Sequence, residues 1–414
     1  MARVAVVGGG FGGLSAAARL AKLQHEVVLL ESSSVLGGRL LGHQVGSTVW
    51  QLSPDTITLP GVLRDLFRKS GRPLERVLDL VPTEGRRHAF ADKSVLDLPF
   101  GDRAAQHDAI MAAFGGTDRW SPWLDAMAER WDVYRRSSVE SLEPPGRPVR
   151  KALSASRRMS KAIYRELRDE RLERIVLDPF ILDGDHPMFV PTFLAVTNYV
   201  ERTFGRWRVD GGLPALAAAL ITRLDERGVE VRTGVHAHEL RVSDDRVAGV
   251  TTDVGPVDAD IVVWCGSRIP HPVPEPLGLP IIPASRALIR LGPDAPDLPL
   301  DVFSHSNPPV HLWSDGSDAW TIAHQNAEDP VIALVRVGID LRPHVIERHD
   351  LSPVELVSLG AWGWQWQGWR TTATRPSTGF NDTLFFAGAT AHPGPTIEMI
   401  GSQTAAIAER IGKA

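Results

Sequence analysis

The sequence predicts an α/β fold, a parallel sheet wound with helices and interrupted by two long insertions that together make an α+β unit. Three observations carry that prediction. The first forty residues run strand, glycine-rich turn, helical stretch and second apolar strand, closing on Glu31. Strand, helix and strand patterns return between 207 and 264, and the apolar run Leu384 to Ala389 precedes a closing helix from Ile397. The stretches 76–204 and 269–375 differ in texture, the first mostly helical and the second rich in proline and strands.

In the opening segment, Arg3 to Val7 reads as a buried strand, and the turn is Gly8-Gly9-Gly10-Phe11-Gly12-Gly13. Gly8, Gly10 and Gly13 fit the G-x-G-x-x-G spacing. The first glycine permits the tight turn, the second lets backbone approach a pyrophosphate, and the third lets helix pack on strand. The helical run from Leu14 presents its N-terminus to the phosphates. Glu31 follows about 20 residues on, where an acid accepts hydrogen bonds from a ribose. Strand, glycines, helix, strand and acid in that order identify a dinucleotide site, with Phe11 and Gly12 completing the turn.

At 414 residues and 43% hydrophobic content the chain can bury two cores. We expect a discontinuous nucleotide-binding domain from 1–75, 205–268 and 376–414, and a substrate domain from 76–204 and 269–375. The net charge of −5 makes no case for nucleic acid. One cysteine, Cys265, excludes a disulfide framework and a cysteine-rich metal site, and no metal is expected. Glycines interrupt the N-terminal apolar run, so we read no signal peptide. No stretch reaches the roughly 18 apolar residues of a membrane span, and a reducing cytoplasm is the expected compartment.

Taken in order, residues 53–60 form a loop framed by Pro54 and Pro60, and a helix follows from Gly61 to Ser70. Helices are expected over 104–114 and 121–137, with Trp120, Trp123 and Trp131 as core. Residues 147–174 hold ten Arg or Lys against four acids. The plain reading is a solvated helix face laced with i,i+4 pairs through Glu166 and Glu170. The alternative is contact of Arg150 to Lys161 with anionic lipid headgroups. A helix is expected over Ala215 to Arg227, a strand over Val229 to Thr233, a hairpin from Leu240 to Thr252 and a strand over Asp260 to Trp264. In the second insertion, strands over Ala284 to Leu291, Val310 to Trp313, Trp320 to His324 and Val331 to Val337 would build an antiparallel sheet. Trp362, Trp364 and Trp366 alternate as one strand face would, and serve either as core or as the aromatic lining of a hydrophobic channel.

Gly37-Gly38-Arg39, just past Glu31, resembles the extension found in glutathione-reductase-like and amine-oxidase-like flavoproteins, whose nucleotide is FAD. With Trp207 to Leu213, Gly388-Ala389, His392-Pro393-Gly394 and Ile400-Gly401-Ser402, the chain resembles the phytoene desaturase (carotenoid desaturase) branch of the amine-oxidase-like flavoproteins. The resemblance implies a glutathione-reductase-like Rossmann domain holding non-covalent FAD. It assigns Gly8, Gly10, Gly13, Glu31, Gly38 and Arg39 to the ADP and flavin, Arg39 facing the diphosphate and flavin region, Ala237 to a backbone contact with adenine, and Gly388, Thr396 and Ile397 to the flavin end. Two departures stand out: Gln51 and Ser53 occupy positions where the family has an acid and a glycine, and the stretch after Gly394 is one residue short.

The expected activity is FAD-dependent dehydrogenation or desaturation of a hydrophobic, isoprenoid-like substrate, with an electron acceptor that the sequence does not name. His392 and Glu398 are the polar residues placed near the flavin by motif, each able either to move a proton or to support the local turn. A flavin amine oxidase, a non-redox isomerase and a non-catalytic flavin-binding protein are the alternatives at this stage.

Overall fold

The computed structural model describes residues 1–414 except 144, 154–157, 269, 272–279, 282, 362, 365–377, 390 and 392, and describes only the backbone of 280, 281, 363 and 364. Two sheets dominate. The first has six strands in the order Glu230–Thr233, Glu26–Glu31, Arg3–Val7, Ile261–Trp264, Leu384–Phe386 and Thr378–Gly379. The first five are mutually parallel and the last is antiparallel. Val4, Ala5 and Val6 are buried on both faces, which is why the strand reads as a continuous apolar run rather than an alternating one.

Helices Phe11–Lys22, Gly212–Glu226 and Ile397–Ile411 cover one face of this sheet, where Leu14, Ala17 and Leu20 pack with Val4, Val6 and Val263. A small antiparallel sheet of Ala237–Ser243, Arg246–Thr252 and Gly255–Asp258 covers the other, through Leu240, Val247 and Val250 against Ala5, Val7 and Val262. Its hairpin turns at Asp244 and Asp245, both at positive φ. The first helix begins at Phe11 rather than Leu14, because Gly10 is extended and ends the turn there.

The second sheet has seven strands in the order Val345–Leu351, Ser285–Leu291, Ala319–His324, Val310–Ser314, Asp301–His305, Gly85–Phe90 and Val95–Pro99. The last two come from the first insertion, and Gly85–Phe90 joins Asp301–His305 in parallel, so the sheet is not purely antiparallel as expected. The expected strand over 331–337 is instead a helix, Pro330–Arg336. Asp329 caps it, accepting from Val331 N–H at 2.9 Å, and Pro330 occupies its first turn, where the missing N–H costs nothing. The helix expected over 121–137 is divided into Trp120–Asp125 and Ala128–Tyr134, followed by a wider turn over Arg135–Val139. Trp120, Trp123 and Trp131 are core, as expected.

One face of the second sheet carries a buried polar chain. Arg174 pairs with Asp178 at 3.0 Å, Asp178 accepts from His305 Nδ1 at 2.8 Å, and His305 Nε2 meets His88 Nδ1 at 2.9 Å. Alongside it, Arg86 forks onto Asp301 at 2.8 and 3.1 Å, and His311 meets the same carboxylate at 2.8 Å. Trp362 and Trp366 lie outside the described residues. Gly363–Trp364 is a two-residue strand paired with Pro280–Ile281.

Candidate active site

The turn after the first strand is built by what its glycines exclude. Gly8 sits at φ +98°, and a Cβ there would lie 3.0 Å from the Cys265 carbonyl carbon. At Gly13 an added Cβ would lie 1.8 Å from the Gly8 carbonyl oxygen, so helix and strand approach as closely as only glycine allows. Gly10 differs: an added Cβ would meet nothing within 4 Å. Open space therefore fronts the helix N-terminus, and no side chain caps it. The first amide bonded within the helix is that of Leu14, to Gly10 O at 2.9 Å, which leaves the amides of Phe11, Gly12 and Gly13 directed toward that opening. The Phe11 ring itself is buried against Gly401, so Phe11 serves the opening through its backbone alone.

Glu31 is braced at the end of the second strand. Its carboxylate accepts from Gly9 N–H at 2.5 Å and from Ser33 N–H at 2.8 Å. Val235 N–H bonds to Glu31 O at 2.9 Å, which brings Ala237, at the head of the next strand, to the same edge. Gly37 N–H bonds to Gly9 O at 2.8 Å, and Gly38 at φ +52° lies so close to Gly10 that its Cβ would be 3.1 Å from Gly10 Cα. The two glycine stretches thus stack.

Arg39 follows on a short turn, Gly38–Leu41. No carboxylate pairs with it among the described residues, and burial alone holds its pKa below the ordinary arginine range. Arg286 lies within its electrostatic reach. Burial and the Arg39 charge bring Arg286 down to about 10, with Asp183 opposing. Arg286 donates to Leu52 O at 3.0 Å and Ala284 O at 2.7 Å. Asp183 is accessible to solvent yet surrounded by protein: burial pushes its carboxyl up to about 6, against the pull of Arg286 and with the help of Asp185.

The chain's far end returns to the same place. Gly388, at φ +122°, would put a Cβ 3.1 Å from Cys265 O, so Gly8 and Gly388 flank one residue. Burial pushes the Cys265 thiol up to about 12, an inert group. Thr396 caps the closing helix, which Ile397 opens. Glu398, in its first turn and buried, accepts from Thr58 Oγ1 at 2.5 Å. Thr58 belongs to the 53–60 loop, which is held twice more: Asp55 faces Arg208 Nε at 3.0 Å, and Thr56 Oγ1 accepts from Arg206 at 2.7 Å. The Asp55 contact is an ion pair without hydrogen-bond alignment. Burial raises the Asp55 pKa, with Arg208 opposing.

The structure therefore brings together Gly8, Gly10, Phe11, Gly12, Gly13, Glu31, Gly38 and Arg39, with Gly388, Thr396 and Ile397 reached through Cys265 and the closing helix. His392 lies outside the described residues, as do the side chains of the tryptophan run. Sequence reasoning gave no site role to Arg286, Asp183 or Thr58, although Thr58 stood in the loop between Pro54 and Pro60, Arg286 in the expected strand Ala284 to Leu291, and Asp183 in a stretch, Asp183 to Pro187, of weaker resemblance to the family.

The family model described as flavin containing amine oxidoreductase matches residues 11–274. The chain belongs to the flavin-containing amine oxidoreductase family. Among its relatives, the all-trans-zeta-carotene desaturase of Myxococcus xanthus is 31% identical over 274 residues, 63% of this chain and 51% of that protein. Hydroxyneurosporene desaturase of Cereibacter sphaeroides is 30% identical over 278 residues, 64% of this chain and 56% of that one. The match spans about half the length of these curated relatives. An oxidoreductase from Methanosarcina mazei has the same fold, with a TM-score of 0.66 at 16% identity over 98% of this chain and 100% of that chain.

The geometry fits the family's flavin nucleotide. Open space at Gly10, unbonded helix amides and an Arg39 with no carboxylate partner among the described residues are what a diphosphate requires. Among the described residues, no helix is long and apolar enough to cross a membrane.

Proposed function

We propose that this chain is an FAD-dependent oxidoreductase that removes hydrogen from a hydrophobic, isoprenoid or carotenoid-like substrate by hydride transfer to flavin. The observation that carries the cofactor half is the open cradle over Gly10, closed by Gly38 and faced by Arg39. The names of the relatives, both desaturases of carotenoid-type molecules, support the substrate half. Bound there, the flavin supplies a hydride acceptor for an unactivated C–H bond.

The chain's own residues do the rest. The amides of residues 11–13 and Arg39 hold the diphosphate, Glu31 holds the adenosine ribose, and Ala237 offers backbone to adenine. Gly388, Thr396 and Ile397 present the closing helix N-terminus to the flavin end. Glu398, occupied by Thr58, ties the 53–60 loop to that helix, a positioning role.

The finer architecture belongs to the same reading: a glutathione-reductase-like Rossmann domain from 1–75, 205–268 and 376–414, and an α+β substrate domain from 76–204 and 269–375. Every strand of the six-stranded sheet falls in the first set and every strand of the seven-stranded sheet in the second, which supports the division.

The test is direct. The purified protein is expected to be yellow, to release FAD on denaturation, and to convert an acyclic carotenoid precursor in detergent into a product with a longer conjugated chain. A colourless protein that cannot be reconstituted overturns the cofactor; an isomerised product at unchanged oxidation level overturns the redox assignment.

A further inference from the structure

Where the first insertion packs on the second sheet, an apolar wall carries two opposite charges. Leu182, the last residue of the helix Glu170–Leu182, clusters with Phe303, Trp313 and Ala323, and Ala284 packs against them. Ala323 pairs directly with Arg286 on the neighbouring strand. Asp183, the next residue after Leu182, is thereby brought within the electrostatic reach of Arg286.

Both groups are held in place. Gly184 N–H bonds to Ile181 O at 3.0 Å and Asp185 N–H to Phe180 O at 2.8 Å, which closes the helix end. The Gln325 side chain donates to Ile181 O as well and ties that end to the sheet. Arg286 donates through Nε to Leu52 O and through Nη1 to Ala284 O and Ser285 O, and its guanidinium lies 5.5 Å from the centre of the Trp313 ring. Its Nη2 makes no hydrogen bond among the described residues. The Asp183 carboxylate makes neither hydrogen bond nor ion pair among them, and it is open to solvent although protein surrounds it. A free donor and a free acceptor on an apolar wall are the make-up of a ligand pocket, in which a few polar groups fix orientation.

The charges select the ligand group. Arg39 adds a second cation near Arg286, so an amine is repelled. A carboxylate meets Asp183 and, behind it, Asp185. A hydroxyl is neutral and both donates and accepts. We propose that Asp183 and Arg286 form a subsite for a hydroxyl group carried by the hydrophobic substrate, the hydroxyl donating to Asp183 and accepting from Arg286 Nη2. The inference rests on the hydrophobic-substrate reading above and adds that the substrate is an alcohol. Anchoring its oxygen fixes which carbon–carbon bond of a long, uniform chain is offered for dehydrogenation.

The experiment is equilibrium dialysis of the flavin-loaded protein in detergent against three probes: an acyclic carotenoid precursor, the same molecule with one hydroxyl near an end, and the same molecule with a carboxyl there. The alcohol is expected to bind at least about tenfold more tightly than the hydrocarbon. Asp183→Leu should bring the alcohol down to the hydrocarbon's affinity, while Asp183→Asn, which keeps an acceptor oxygen, should retain most of the preference. Unchanged circular dichroism and flavin content show that each variant folds. Equal affinity for alcohol and hydrocarbon, a preference that survives Asp183→Leu, tighter binding of the acid than of the alcohol, or binding of none of the three overturns the proposal. Anaerobic bleaching of the flavin is a separate readout. An alcohol bound through Asp183 without bleaching removes the redox reading alone, and equal affinities with bleaching remove the subsite alone.

Discussion

Gly10 and Gly13 stand three residues apart, and the same substitution should have opposite consequences at the two. Ala at position 13 would drive a methyl to 1.8 Å from a backbone oxygen. We expect Gly13→Ala to cost more than about 2 kcal/mol in the stability of the apoprotein, read from urea unfolding. Ala at position 10 meets nothing and needs no unusual backbone angle, so Gly10→Ala should leave apoprotein stability within about 0.5 kcal/mol while weakening FAD binding at least about tenfold. Equal losses at both positions would contradict a cradle. Arg39 yields a related prediction. It has no carboxylate partner among the described residues, so Arg39→Ala should stabilise the apoprotein, by no more than about 1 kcal/mol given its partial exposure, and still weaken FAD binding. At this scale the sequence was readable wherever spacing along the chain sets local geometry, as at Gly8, Gly10, Gly13 and Glu31. Arg286 was not readable, because a strand of the other sheet brings it to Arg39 and nothing near it in sequence says so.

Elements show where local pattern and tertiary context part. Residues 331–335 are uniformly apolar, and such a run fits a strand and a short buried helix equally well. The distinguishing signal was the Asp329-Pro330 pair ahead of it. Asp329→Ala should cost about 1 kcal/mol through loss of the cap, and a smaller change would assign the helix to packing alone. The buried histidines on the second sheet set a pH dependence. Burial holds His88, His305 and His311 below the usual histidine range. The unfolded chain takes up protons below about pH 6.5 that the folded chain refuses, so stability is full above that pH and falls as the solution is acidified. The limit is about 1.4 kcal/mol per pH unit for each histidine. Asp183 acts in the other direction. Held up at about 6, it contributes stability at low pH that is lost as pH rises through that value. The urea midpoint should therefore fall between roughly pH 7 and pH 5, and fall more steeply in Asp183→Asn. A midpoint that holds level or rises on acidification would show that these imidazoles are not held neutral.

Across the whole molecule, the proposed cofactor site is assembled from the two ends of the chain and a strand from its middle. Gly8 and Gly388 press on the same Cys265 backbone, and Ser15 on the first helix bonds to Thr404 on the last at 3.1 Å. The existence of both units could be read from the sequence, since each carries its own glycine signature. Their contact could not, because it depends on the order of strands in a sheet whose members lie hundreds of residues apart. The same limit hid the parallel pairing of Gly85–Phe90 with Asp301–His305, which knits the two insertions into one sheet. We propose that substrate choice resides in that second sheet and its helices, and that they deliver a hydrophobic molecule to flavin held by the first. Anaerobic titration, following the visible absorbance of the bound flavin, tests this most directly. Bleaching by an acyclic carotenoid precursor in detergent, with amines inert, is the result this account predicts; bleaching by amines alone, or by neither class, would contradict it.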